Sequence, residues 1–412
     1  MSLFSISFLA GILLGLTFLP RLADLAGRKT VYYLGLLIHV ILVSTSFLVK
    51  DDSIFYGLVF LMGLEQVARF TIGYVYLSEF CCNHIQRPLV TTIPMFISAE
   101  SAMICAIYFR YIAKKWQYFE LVGLAMALIA LFSVCFIPES PRWLISRGRY
   151  KKAFEVYKKV AKFNGVHFTD MIWRLSRDQA ADKVNKGLLA NPNQYLEINK
   201  DEDILEESMA DVPFDQRIDK PRIFRDLLWG PKKKVLGVRF LALLVIWCTY
   251  LYSYQVVEAF LQYTWSDVYT DMITLANAEA FGYVLAGLIY IRNGDRGRGI
   301  IMVSMLATAL LTSISLAVNN VVDSKDKSVI VNLLIMAIRF TLSVSFNALL
   351  METFAAFPTI YLCTVFGILN FLGRLCGMIG PSNNQSHFNG AKIGMIVTTF
   401  ISALVAFRFL KQ

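Results

Sequence analysis

Residues 117–137 read QYFELVGLAMALIALFSVCFI and run straight into 138–144, PESPRWL. Only Glu120 carries a charge in the first stretch. A helix rising 1.5 Å per residue needs about 20 apolar residues to cross a hydrocarbon core of about 30 Å, and this stretch has that length. Helices facing lipid are apolar almost all round, so hydrophobic period says little and length decides. Pro138 and Pro141 then stop the helix.

The same pattern recurs on both sides. Spans are expected near 3–19, 31–49, 53–77 and 89–112 before this one, and near 235–255, 272–291, 299–318, 328–349, 358–380 and 390–408 after it. The fold class is therefore an all-α polytopic membrane protein with about eleven transmembrane helices. Composition agrees. Of 412 residues, 56% are hydrophobic and 17% charged, with a mean hydropathy of +0.54, where soluble domains run about 45–50% and about 25%. Those values exclude a disordered, collagen-like or nucleic-acid-coating protein and disfavour a soluble multidomain enzyme. Met1–Ser7 lacks a basic leader and no small-residue cleavage site follows, so 3–19 is expected as a retained helix.

The chain is expected to divide into an N-terminal bundle of five spans (1–137), an inner-face segment (138–234) and a C-terminal bundle of six spans (235–412). Basic residues orient it. Arg21, Arg28 and Lys29 mark one short loop, Arg292, Arg296 and Arg298 another, and the interval 142–234 is basic too. The connection 256–271 carries Glu258, Asp267 and Asp271 with no Lys or Arg. The positive-inside rule places the basic segments inside, with the C-terminus inside and the N-terminus outside; Lys114 and Lys115 run against it. The net charge of +10 then belongs to loops beside an anionic leaflet, with the lipid bilayer as partner and no nucleic acid. Within the middle segment, 146–164 reads as a basic amphipathic helix with Phe154, Val156, Tyr157, Val160 and Phe163 on one face, and 197–215 as an acidic linker. A plasma membrane or an organelle inner membrane suits this charge pattern.

No catalytic constellation is present. Seven cysteines fall mostly inside spans without metal-ligand spacing, the four histidines do not cluster with them, and no GxSxG, HExxH or phosphate-cradling loop occurs. An enzyme is not expected, nor a cofactor or metal. Asn384–Ser386 is a glycosylation sequon on an expected outer loop. Charged residues inside spans cost several kcal/mol and should face a partner or a watery cavity. Those singled out are Glu65, Arg69 and Glu79 in or near the third span, then Glu100, Glu279, Arg339 and Arg374. Glu65 and Arg69, four residues apart, can neutralise each other. Glu79 suits an inner-face salt bridge, with Arg87 following it. Arg374, among Gly367, Gly373, Gly377 and Gly380, ranks first for a solute path.

Several stretches resemble one family. Arg21–Lys29 (RLADLAGRK) is similar to the signature between helices 2 and 3 of the major facilitator superfamily, and PESPRWL to the motif after helix 6 of sugar porters and organic ion transporters. Arg69–Gly73 with Glu79 resembles helix 4. Phe357-Pro358-Thr359 through Gly367, Arg374 and Pro381 resembles helix 11 of the organic cation and anion branch. The resemblance implies two six-helix bundles around a central path, working by alternating access. It implies a path at Arg374, Arg339, Glu100 and Glu279, and a gate built from Asp24, Arg28, Lys29, Arg69, Glu79, Glu139 and Arg142. A basic residue at the position of Arg374 is that of the anion branch.

Departures from the pattern are also plain. The first span matches helix 2 of the family, so helix 1 is expected to be missing; Pro20 replaces a Gly, Ala355 a Glu and Leu362 an Arg. The second-half loop reads NGDRG (293–297) where the family has Gly-Arg-Arg. Two functions follow: a secondary transporter of a small organic ion, anion favoured, or a transport-inactive descendant held as a structural subunit of a larger membrane complex.

Overall fold

The computed structural model describes residues 3–81, 86–165, 233–261, 267–293, 297–321, 326–378 and 385–409. Among the described residues every regular element is helical. They are α1 (Leu3–Ala26), α2 (Arg28–Ser46), α3 (Asp52–Val67), α4 (Gly73–Phe80), α5 (Gln86–Ile107), α6 (Trp116–Phe136), α7 (Pro141–Ser146) and α8 (Tyr150–Phe163). The later ones are α9 (Lys233–Leu261), α10 (Val268–Asn293), α11 (Gly297–Val321), α12 (Asp326–Ala356), α13 (Leu362–Met378) and α14 (Gln385–Phe409). A π turn over Ala68–Ile72 fuses α3 and α4 into one span, and another over Tyr108–Ile112 extends α5. Eleven helices among the described residues are long and apolar enough to cross a bilayer. The chain is a multi-pass integral membrane protein.

Several ends differ from the sequence expectation. The loop expected at 20–30 shrinks to Gly27, because α1 continues past Pro20 to Ala26 and α2 begins at Arg28. Gly27 takes φ 113, a left-handed conformation that L side chains resist, which is why the reversal sits there. The amphipathic helix expected over 146–164 is α8, which starts later, at Tyr150, because α7 ends at Ser146 and Arg147–Arg149 break the chain between them. Ser140 caps α7 by accepting from the Trp143 backbone N–H at 3.2 Å, with Pro141 in the first turn. On α8, Ala153, Phe154, Val156 and Ala161 are buried, but Phe163 is 91% exposed and does not join that face. It is the last residue of the helix, past the final buried turn. The acidic linker 197–215 and Asn384 lie outside the described residues.

Residues Met1–Cys135 and Ile223–Gln412 form one compact unit, and Phe136–Arg222 a second. In the larger unit α1 packs on α3 so closely that a Cβ on Gly11 would overlap the Phe60 carbonyl, and one on Gly63 the Phe8 carbonyl. This small-residue crossing is the usual way membrane helices associate where no hydrophobic drive acts between them. First-half helices meet second-half helices most extensively at α1 on α13 and at α5 on α10, where α12 also reaches α5. At the latter, Asn347 of α12 donates to Thr92 Oγ1 of α5 and to the Tyr283 carbonyl of α10, both at 2.8 Å. An aromatic core backs this: Tyr250 stacks on Phe346 at 4.3 Å, and Trp247 sets edges against Phe346 and Phe366.

Candidate functional site

Three groups of intramembrane charge stand out, and the first lies where α1 hands over to α2. The Gly27 reversal drives the Arg28 guanidinium inward, where it is 0% exposed. Its Nε donates to Glu79 Oε1 of α4 at 3.1 Å, and its Nη2 to Asp24 Oδ1 at 2.9 Å and to the Thr359 carbonyl ahead of α13. The other Asp24 oxygen accepts from the Thr364 backbone N–H at 2.8 Å and the Thr364 hydroxyl at 2.6 Å. One buried guanidinium and two carboxylates thus tie α1, α2 and α4 to the start of α13. Lys29 donates from Nζ to the Cys135 carbonyl at 3.1 Å, pinning α2 to α6. The expected gate residues Asp24, Arg28 and Glu79 are brought together here; Glu79 reaches Arg28, while the Arg87 side chain lies outside the described residues.

Arg69 lies elsewhere. It forms a two-pronged bridge to Glu65, Nε to Oε2 at 2.7 Å and Nη2 to Oε1 at 2.9 Å, as the spacing suggested. His39 Nδ1 of α2 joins at 2.8 Å from Glu65 Oε1. Glu65 and Glu79 are fourteen positions apart on one fused span, about 20 Å at 1.5 Å per residue. Arg69 therefore belongs to a mid-span triad apart from the Asp24–Arg28–Glu79 cluster.

The second half holds Arg339, 3% exposed on α12. It contacts Glu258 of α9 at 2.8 Å and Glu279 of α10 at 2.9 Å. Its guanidinium carbon sits 3.6 Å from the centre of the Tyr254 ring, so a cation–π contact adds to the two ion pairs. Arg339 is thus more than neutralised.

Arg374 of α13 is not. Its Nε donates to Asn370 Oδ1, one turn earlier on the same helix, at 2.9 Å, and among the described residues it forms no ion pair. It borders a cavity of about 100 Å³ whose other walls include Asn370, Gln66, Phe70, Thr71 and Ile12. Tyr250 and Tyr254 lie within electrostatic reach of both Arg374 and Arg339. The cavity is thus polar and cationic, walled by α1 and the π-turn region on one side and α13 on the other.

A family model described as "Sugar (and other) transporter" matches residues 1–189. Among solved structures, the proton:xylose symporter XylE superposes with a TM-score of 0.68 at 16% identity, covering 98% of this chain and 85% of that one. The human organic anion transporter MFSD10 gives 0.59 at 15%, covering 99% and 82%. The chain has the major facilitator fold. In sequence it is organic cation/anion transporter-like: mouse solute carrier family 22 member 21 is 23% identical over 91% of this chain and 59% of that protein. The rat organic cation/carnitine transporter 2 is 22% identical over the same shares. The Drosophila beta-alanine transporter is 33% identical over 41% of this chain and 28% of its own length. The chain thus spans 59% of the length of the first two relatives.

Within this major facilitator frame, Glu279 and Arg339 meet directly and Arg374 lies by a cavity of its own, while Glu100 of α5 forms no ion pair among the described residues. Glu139 and Arg142 belong to the smaller unit. There the Glu139 carboxylate accepts from the Ser140 backbone N–H at 3.0 Å, beside the α7 start. Sequence reading missed Thr359 and Thr364, which join the Asp24–Arg28–Glu79 cluster through a carbonyl, an N–H and a hydroxyl. It also took Glu258 only as an outer-loop acid. The outer end resolves another puzzle: Lys114 donates to the Tyr269 hydroxyl at 3.0 Å, and Arg110 pairs with Asp267 at 2.7 Å. Lys114, one of the two lysines that opposed the positive-inside rule, thus meets the 256–271 connection, while Lys115 lies over the Tyr118 ring.

Proposed function

We propose that the chain moves a small organic ion across the membrane as a secondary transporter working by alternating access, with an anion as the favoured charge. Arg374 carries this reading. An arginine within a span costs about 2.5–3.5 kcal/mol or more unless paired, and Arg374 has Asn370 but no carboxylate among the described residues. A substrate carboxylate would supply the missing charge, and the guanidinium fork suits it in two-pronged fashion. Gln66, Thr71 and Asn370 add neutral polar groups around the same cavity.

Among the relatives' names, MFSD10 is an organic anion transporter, while the organic cation/carnitine and beta-alanine transporters take zwitterions whose carboxylate would suit the same guanidinium. At about 100 Å³ the cavity is smaller than the 300–1,000 Å³ of ordinary ligand pockets. The bundles must therefore part to admit a solute. With Asp24, Arg28 and Glu79 joined to Thr359 and Thr364, the inner end is latched. The expected organisation of 1–137 and 235–412 as two rocking bundles belongs to this proposal, as do the gate roles of Glu139 and Arg142.

Uptake by the full chain in proteoliposomes tests it. Saturable uptake of a small carboxylate, abolished by Arg374→Ala, is the expected result. No saturable uptake of any carboxylate, with stoichiometric co-purification in a larger membrane complex, would establish the structural-subunit role instead.

A further inference from the structure

A larger opening, about 410 Å³, lies among α10, α11 and α12, away from Arg374. Its walls are apolar: Leu285 and Ile289 from α10, Ile300 and Val303 from α11, Phe340 and Val344 from α12. Val303 is 61% and Leu285 39% exposed, so this is a groove on the outer surface of the bundle, where spans meet lipid. Two hydroxyls also line it, and both are already satisfied by the protein. Ser304 bonds the Ile300 carbonyl and the Ser345 hydroxyl, each at 2.6 Å; Thr341 bonds the Ile338 carbonyl at 2.9 Å and the Thr308 hydroxyl at 2.8 Å. The groove therefore makes no polar demand on its occupant.

Depth and charge identify that occupant. On α11 the lining runs from Gly299 to Ala307, eight helical steps or about 12 Å, close to one leaflet's half of a core about 30 Å thick. Its shallow end lies at the inner side given by the basic loops. Arg292, in the last turn of α10, and Arg298, in the first turn of α11, flank that end, and neither forms an ion pair among the described residues. Basic residues between helices on the inner side are placed to hold anionic lipid headgroups.

We infer that this groove holds an acyl chain of an inner-leaflet anionic phospholipid, with the phosphate on Arg292 and Arg298. The lipid would brace α10 against α12, the two helices that bring Glu279 to Arg339.

The test uses the full chain in phosphatidylcholine vesicles containing a minor fraction of phosphatidylglycerol with a photoreactive acyl chain. Adducts should concentrate on the groove walls of α10, α11 and α12. Val303→Trp, which fills an exposed groove, should abolish them. Arg292→Ala with Arg298→Ala, on the surface, should weaken capture of the phosphatidylglycerol probe by about twenty-fivefold, two charges each contributing about fivefold. Capture of a phosphatidylcholine probe should not change. Adducts spread evenly over α6 and other lipid-facing helices would overturn the proposal, as would labelling indifferent to the arginine pair or chain-to-chain crosslinks across the groove.

Discussion

Replacing Arg28 by Leu removes the buried guanidinium that Asp24 and Glu79 share. Breaking a buried pair by removing one partner costs about 3–5 kcal/mol, because the remaining charge is left uncompensated. That penalty applies only while the latch is closed; once α13 moves off α1 and α2, both carboxylates reach water. At about 1.4 kcal/mol per tenfold, the closed–open equilibrium should shift toward open by roughly two to three and a half powers of ten. Thr359→Cys reports on it, since this residue serves the latch through its carbonyl and not its side chain. In a background without other reactive thiols, labelling from the inner side by a membrane-impermeant maleimide should accelerate at least tenfold in Arg28→Leu. Adding Asp24→Asn and Glu79→Gln should return much of that change, because the two charges that Arg28 balances are removed with it. Labelling unchanged by Arg28→Leu, in protein that still folds, would refute the idea that this cluster holds the inner end shut.

Arg339→Leu should destabilise by a similar ~3–5 kcal/mol, as Glu258 and Glu279 lose their shared cation; a thermal midpoint equal to the parent's would contradict the pairing. Gly63→Ala should cost about 1–3 kcal/mol through overpacking at the α1–α3 crossing. Gly57→Ala, with open space around it, should be neutral or slightly stabilising in the same melt. Outside the spans, the Thr270 hydroxyl holds the Asp267 carboxyl below the usual carboxylate range, helped by the Tyr269 N–H and Arg110. A lowered value in the folded state means the contribution is present above the unfolded value of ~3.9 and is lost as pH falls through the folded one. The stability difference between parent and Asp267→Asn should therefore be flat from pH 8 to 5 and close only in stronger acid.

The architecture was legible because a bilayer imposes length. Residues 117–137, a full crossing with a single charge, could hardly be anything but a span, and ten similar runs fixed the count. Ends were less legible. Nothing in RLADLAGRK says that the helix runs through Pro20 to Ala26, because only the Gly27 conformation and the packing of Arg28 decide where the chain turns. At the site, residues with a formal charge could be found from sequence since each is costly in a span. Asp24, Arg28, Glu79, Arg339 and Glu279 were all visible, although their partners were not. Thr359 acts through a carbonyl and Thr364 partly through its N–H, and every residue has those groups. Glu258 sits near a helix end, where a carboxylate also suits open water, so its contact with Arg339 depended on how α9 meets α12.

The fused α3–α4 span bears on which half would choose the charge of a solute. Successive helical residues turn by about 100°, so Gln66, Val67, Phe70 and Thr71 share one face, the one on the cavity. Glu65 and Arg69 share the opposite face and are bound to each other and to His39 of α2. The π turn begins between the two positions of each set, and such turns often mark functional positions in membrane helices as in soluble ones. Among the described residues, the first half thus presents neutral groups to the cavity, and Glu65 and Arg69 turn away from it. Under the proposed function, charge selection then rests on α13 alone. Reversing the sign at Arg374 should change which ions compete for transport, whereas neutralising Glu65 and Arg69 together should alter stability more than selectivity.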